Sequence, residues 1–310
     1  MTLTDTERPR TGQAPHAPAP SWPFSISIVI PAMNEGATIA HVIQGVREQL
    51  PDAEIVVVDD ASRDNTTDVA EAAGARVIRR PYNIGNGAGV KTGVRAATGD
   101  VVVIIDADGQ MNPADLPRLL QYIGPYDLVI GERDRSGQQN TLRWLGNTAL
   151  NRFGTYLVGF EMRDLTSGFR AFRRTVMLEF LHLLPNRFSW STTSAMAFAK
   201  AGYHIRFVPI EMRKRQAGQS TQKLMRNGVR FGLIILRIVT LFNPLRVFFP
   251  IFIALELLAL AAYFWSIASG DRWLHIPPST GIFFLGGLII FLFGLISEQI
   301  ASLRFKGPEQ

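Results

Sequence analysis

The clearest chemical signal in the chain is VVVIIDADGQ, residues 101–110, where Asp106 and Asp108 stand one residue apart at the end of an apolar run. So many β-branched residues suit a buried strand, and side chains two apart on an extended chain point the same way. Two carboxylates on one spot repel each other, and each is costly in an apolar setting. A hard divalent cation, Mg²⁺ or Mn²⁺, resolves both problems, because it takes oxygen ligands and the Gln110 amide oxygen can add to its shell. A solvated turn in which an aspartate caps the next segment accounts for the same residues. The surrounding elements decide between the two.

From Ile26 onward the pattern alternates strand and helix. SISIVIPAM is followed by a helix over about 37–49, EIVVVDD by a helix over about 66–73, and ARVIRR by a helix over about 89–97 that leads into VVVIID. This order predicts an α/β fold of Rossmann-like type, a mainly parallel sheet with helices on both faces. Ligands of such sheets bind beyond the carboxyl ends of the strands. The polar residues fall there: Asn34 and Glu35 after the first strand, Asp59 and Asp60 after the second, Asp106 and Asp108 after the fourth. The segment NIGNGAGVKTG, residues 83–93, has the look of a phosphate loop, but Val90 stands where glycine must precede the lysine. Its glycines read as close chain approach at a helix start, with backbone donors that could still face a diphosphate.

Composition adds a second region. The 310 residues are 47% hydrophobic, unevenly spread, with two nearly charge-free runs over about 247–268 and 280–300. Each approaches the ~20 residues needed to cross a bilayer, and together they predict two transmembrane helices within residues 245–301. Glu256 interrupts the first; a charge there costs on the order of 2.5–3.5 kcal/mol, which the surrounding apolar residues outweigh. Before them, over 226–244, Arg226, Arg230 and Arg237 fall on one side of an otherwise apolar helix, as in a helix lying on a membrane surface. These arginines, with Arg304 and Lys306 in the tail 302–310, favour a cytoplasmic catalytic domain and an outward loop near 271–278. Residues 1–24 read as a disordered tail without a signal-peptide core. The formal charge of +6 suits an anionic membrane or a phosphorylated substrate and is too small to argue for nucleic acid. With no cysteine, thiolate metal sites and cysteine nucleophiles are excluded.

Taken in order, VIPAMNEG (29–36), VVVDDASRDNT (57–66), the glycine segment with ATGD (97–100), DADGQ (106–110), GER (131–133) and DLTSGFRAF (164–172) resemble the motifs of one family. They are similar to those of the nucleotide-sugar glycosyltransferases of the GT-A fold, in particular the inverting polyprenyl-phosphate sugar synthases typified by dolichyl-phosphate mannose synthase. The resemblance covers about residues 25–225, and the two-helix tail resembles the bacterial members. It implies that Pro31, Asn34, Glu35, Asp59, Asp60 and the triplet Asp106-Ala107-Asp108 bind the nucleotide sugar. Asp106, Asp108 and Gln110 would hold the metal ion. Arg133, Arg143, Asn147, Arg215 and Ser220 would meet the acceptor phosphate, and Asp106, Asp108, Arg133 and Arg215 would form the catalytic set. Thr221 stands where the family has lysine, with Lys223 two residues on.

The acceptor can also be argued without the family. Sugar transfer to a hydroxyl needs a general base, commonly a carboxylate, yet no Asp or Glu occurs between Glu179 and Glu211. A phosphate is already an anion and needs arginines instead, which Arg133, Arg143 and Arg215 supply. The expected reaction is transfer of a hexose from GDP-mannose or UDP-glucose to a polyprenyl phosphate. Alternatives are a processive polysaccharide or glycolipid glycosyltransferase, faintly echoed by QNTLRW (139–144), and an inactive membrane-tethered nucleotide-sugar binder. Either a monomer or a homo-oligomer is compatible.

Overall fold

The computed structural model describes residues 21–133, 141–187, 189–212, 241–270 and 275–303, with the side chains of 141–145 outside the description. Seven strands, β1 (Ile26–Ala32), β2 (Glu54–Asp59), β3 (Arg76–Arg79), β4 (Val101–Ile104), β5 (Leu128–Arg133), β6 (Arg170–Arg173) and β7 (Ile205–Ile210), form one sheet in the order β3-β2-β1-β4-β6-β5-β7. All neighbouring pairs are parallel except those of β6, which runs antiparallel between β4 and β5. This is the GT-A-like α/β arrangement expected.

Alternation along the strands builds two layers. Val29, Val56, Val102 and Ile104 face one side of the sheet, where α3 (Asn86–Ala96), α6 (Arg174–Phe180) and α7 (Trp190–Lys200) pack; α5 (Thr141–Val158) adds Leu150 and Leu157 to the same cluster. Ile28, Ile30, Ile55, Val57 and Val103 face the other, under α1 (Ile39–Gln49) and α4 (Leu116–Leu120). In α1 the buried residues are Ile39, Val42, Ile43 and Val46, the i, i+3, i+4, i+7 stripe of a helix that covers a sheet. The short α2 (Thr66–Ala72) flanks β3.

β1 pairs with β2 on one side and β4 on the other, so the chain winds outward in one direction and then crosses back. The crevice at their carboxyl ends is where such a sheet binds ligands. α3 starts at Asn86, three residues before the expected Gly89, because the amides of Gly87 and Ala88 bind the carbonyls of Arg187 and Asn186 and start the helix early. Trp22 and Phe24, inside the expected tail 1–24, stack at 5.9 Å and pack on the α1 side of the sheet, so these two belong to the folded domain.

Two long apolar helices follow, α8 (Leu245–Ala268) and α9 (Pro278–Ser302), each long and apolar enough to cross a membrane. They pack on each other through close contacts: Phe252 and Phe291 meet at 4.9 Å, and a Cβ on Gly287 would lie 2.5 Å from a Glu256 carboxylate oxygen. Glu256 therefore faces the partner helix, the arrangement its cost predicts. Arg226, Arg230 and Arg237 lie outside the described residues, as do Arg304 and Lys306. Leu241 and Phe242, at the end of the expected surface helix, are buried in the core of the sheet domain.

Candidate active site

Asp106 and Asp108 lie in the turn just past β4, at the mouth of the crevice. Gly109 takes a left-handed φ of +70°, which turns the chain so that the Gln110 amide donates to Asp108 Oδ1 at 3.1 Å. Burial, reinforced by the Asp108 charge, pushes the Asp106 carboxyl up to about 7, against an opposing hydrogen bond from the Asn86 side chain and the Arg133 charge. A carboxyl held so unfavourably beside a second one is the environment a divalent ion relieves, and an all-oxygen donor set suits a hard cation. Among the described residues no group of three or more His, Asp or Glu gathers, so these two acids would leave the rest of the shell to Gln110 and to ligand oxygens. The donor set fits Mg²⁺ or Mn²⁺.

Arg133, at the end of β5, is held rather than free. Its Nε and one terminal nitrogen form a fork to Asp164 at 2.8 Å each, the same nitrogen reaches Thr166 Oγ1, and its backbone amide also donates to Asp164. Burial opposes the charge on Asp164, but these donors outweigh it and hold the carboxyl below the usual range. The turn containing Asp164 brings Gly168 so close to Asp106 that a Cβ there would lie 3.2 Å from Oδ2. DADGQ, GER and DLTSGF thus meet at one place although sixty residues separate their ends.

The residues expected to bind the nucleoside lie around a second feature of the crevice. A cavity of about 570 Å³ opens beyond β1, β2 and β3, lined by Met33, Asn34, Ala61, Ser62, Arg63, Arg79, Pro81, Tyr82 and Asn83. Of the expected nucleoside residues only Asn34 lines it. Asn34 takes φ +56°, and its side chain accepts the Arg63 amide at 2.8 Å. Pro31 is buried beside Gly89, and the Glu35 amide donates to Thr66 Oγ1 at 2.9 Å. Asp59 is buried, with Ser62 and Thr67 hydroxyls on its two oxygens at 2.5 Å. Asp60 is buried against Arg80 at 3.2 Å and accepts the amides of Ile84 and Gly85. Both aspartates shape the loops around the cavity and do not line it. Arg79, the last residue of β3, and Tyr82, three residues on, line this cavity and were not singled out in the sequence, although the carboxyl-end rule applied to the third strand points to them.

Several donors of the glycine segment are engaged within the protein. Ile84 and Gly85 bind Asp60, Gly87 and Ala88 bind the 186–187 carbonyls, and Lys91 Nζ reaches the Leu184 carbonyl at 3.1 Å. A Cβ on Gly87 would stand 2.2 Å from the Pro185 oxygen, so the segment's glycines serve close approach. On the acceptor side, positions 143 and 147 lie one turn apart in α5; Asn147 is half-buried, and the Arg143 side chain lies outside the described residues, as do Arg215 and Ser220.

The hairpin joins this domain through defined contacts. Tyr156 Oη donates to the Arg246 carbonyl at 2.7 Å, the Arg246 guanidinium lies 5.5 Å over the Tyr156 ring and bonds the Tyr156 carbonyl, and Asn243 reaches the Leu157 carbonyl at 3.2 Å. At the far end of α9, Glu298 sits 3.9 Å from Lys200 of α7. Both ends of the hairpin therefore meet the same domain.

The description of glycosyl transferase family 2 matches residues 27–181, and that of the GtrB C-terminal hairpin matches 243–303. The glycosyltransferase AglJ of Haloferax volcanii is 32% identical over 91% of this chain and 95% of its own length. An undecaprenyl-phosphate 4-deoxy-4-formamido-L-arabinose transferase of Pseudomonas fluorescens is 29% identical over 90% and 85%. Among solved structures, glucosyl-3-phosphoglycerate synthase of Mycobacterium tuberculosis, crystallised with Mn²⁺, UDP-glucose and glycerol 3-phosphate, shares the fold with a TM-score of 0.56 at 24% identity over 71% of this chain and 84% of that one. With the acid pair at the sheet's crossover, the SGFR turn beside it and the two-helix tail all in one polypeptide, the chain belongs to glycosyl transferase family 2.

Proposed function

We propose that this glycosyltransferase moves a hexosyl group from a nucleotide sugar, GDP-mannose or UDP-glucose, to a polyprenyl phosphate at the cytoplasmic face of a membrane. The observation that carries this reading is the docking of an apolar hairpin, at both its ends, onto the domain that holds the acid pair. Relatives named for transfer to undecaprenyl phosphate and to dolichyl phosphate support it.

In this reading the cavity beside Asn34 and Tyr82 takes the nucleoside, and Asp59 and Asp60 keep its walls in place. Asp106 and Asp108, with Gln110, would hold Mg²⁺ or Mn²⁺, which when bound would supply charge neutralisation at the departing diphosphate. Arg133, locked by Asp164, offers its remaining donor edge to phosphate, with Arg143, Asn147, Arg215 and Ser220 completing the acceptor side. An acceptor phosphate oxygen attacks the anomeric carbon as the bond to the nucleoside diphosphate breaks, which inverts that centre. No carboxylate base is required.

Purified full-length protein incubated with labelled nucleotide sugars and a polyprenyl phosphate, with and without chelator, tests the proposal. The expected product is a lipid-soluble sugar released by mild acid and formed only without chelator. A product resistant to mild acid would point to a polymerase or glycolipid synthase. Tight nucleotide-sugar binding without any lipid product would point to an inactive binder.

A further inference from the structure

The turn of the motif DLTSGFRAF ends on Arg170, which has no part in the scheme above. Arg170 opens β6 opposite Ile104 of β4 and Ile130 of β5, two residues before Asp106 and three before Arg133. Its side chain is fully buried on the α7 side of the sheet, lying 5.1 Å under the Trp190 ring. One terminal nitrogen donates to the Ser191 carbonyl at 2.7 Å and Ser194 Oγ at 2.8 Å, and the other to the Ser167 carbonyl, while Nε has no hydrogen-bond partner. No carboxylate among the described residues pairs with it within 4.0 Å; burial pulls its basicity down to about 9, against the more distant charges of Asp164 and Asp106. A buried cation without an ion pair is costly, and a large apolar side chain would fill the same place more cheaply. The charge must serve something else.

Its contacts form a chain of fixed groups. Arg170 holds the Ser167 carbonyl, the Ser167 amide donates to Asp164 at 3.1 Å, and Asp164 clamps Arg133, while Gly168 abuts Asp106. We propose that Arg170 is a positioning residue for the transfer reaction, pinning the Ser167–Gly168 turn so that the Asp106 carboxylate and the Arg133 guanidinium hold their places. The role rests on the glycosyl-transfer reading, and its test separates the two.

The comparison is full-length wild type with Arg170→Met, which preserves the packed volume, and Arg170→Lys, which preserves the charge. The readouts are thermal unfolding, kinetics for both substrates, and Mn²⁺ bound in the presence of UDP or GDP, followed by electron paramagnetic resonance. The Met variant should unfold at or above the wild-type temperature, yet lose about 10²-fold in kcat, the scale of a misplacement of roughly 1 Å, with donor KM little changed and Mn²⁺ held more weakly. Lysine should restore part of the kcat. Wild-type kcat and Mn²⁺ affinity in the Met variant would overturn the role, as would a fall in unfolding temperature with unchanged kcat per folded site. Variants that lose Mn²⁺ when the wild type binds it but transfers no sugar would uphold the role and sink only the reaction; a wild type that does neither sinks both.

Discussion

Asp164 is the residue on which the site's electrostatics turn. Its folded carboxyl lies below the usual range because the donors of Arg133, with those of its own turn, outweigh burial. Such an acid stabilises the fold at every pH above its unfolded value, near 3.9, and loses that contribution as pH falls through the lower folded value. Asp164→Asn should therefore unfold earlier than wild type at neutral pH, by about 3 kcal/mol as for a broken buried pair, or roughly 5–10 °C. Its curve should be flatter than wild type in acid; parallel curves would show that the pair contributes nothing. At the acid pair, Asp108→Asn should cut turnover by about 10²–10³-fold, the scale of losing one electrostatic partner of a transition state, and should weaken Mn²⁺-dependent nucleotide binding; unchanged rates would end the metal assignment. Neighbouring acids at a strand end look alike in a sequence. Asp59 and Asp60 carry the same signal as Asp106 and Asp108, and only the Ser62, Thr67 and Arg80 partners, brought in by folding, show that their charges are already engaged.

Among the elements, what periodicity could reveal it did: the parallel core strands and the two apolar helices stand within a few residues of expectation. β6, the strand that runs against its neighbours, was not legible. RAFR is four residues long, and the antiparallel choice is settled by contact with β4 and β5 rather than by its own pattern. The start of α3 was missed for a related reason, since the carbonyls that bind its first amides come from a loop a hundred residues later. That loop provides a test at this scale. On Gly87 a Cβ would collide with the Pro185 backbone oxygen at 2.2 Å, while on Gly74, at φ +82°, it would meet nothing. Gly74→Ala should cost about 1 kcal/mol through backbone strain alone, with activity intact. Gly87→Ala should cost more and reduce transfer as well, because the same loop leads to α7 and Asn86 supports Asp106. Equal effects on unfolding temperature and activity in the two variants would show that the loop contact is dispensable.

Across the whole molecule, the contacts at Tyr156, Arg246, Asn243 and Lys200 make the hairpin part of the catalytic body rather than a flexible tether. A tether would supply only a high local concentration of membrane, whereas a docked hairpin also fixes the height and tilt of the crevice above it. The two can be told apart with the acceptor. A polyprenyl phosphate in a vesicle presents its headgroup at one depth, and a short-chain, water-soluble analogue presents it at any. Replacing both Tyr156 and Arg246 by alanine removes a hydroxyl bond, a guanidinium–carbonyl bond and a cation–π contact, each worth on the order of 1 kcal/mol. The variant should remain in the membrane, since the apolar run of α8 after Arg246 and the whole of α9 are unchanged. Transfer to the water-soluble acceptor should stay within about twofold of wild type, because no contact to the acid pair is lost, while transfer to the vesicle-bound lipid should fall by about tenfold, the factor that 1.4 kcal/mol of lost positioning represents. Equal losses on both acceptors would mean that the docking contacts support the fold of the catalytic domain; no loss on either would mean that a tether suffices.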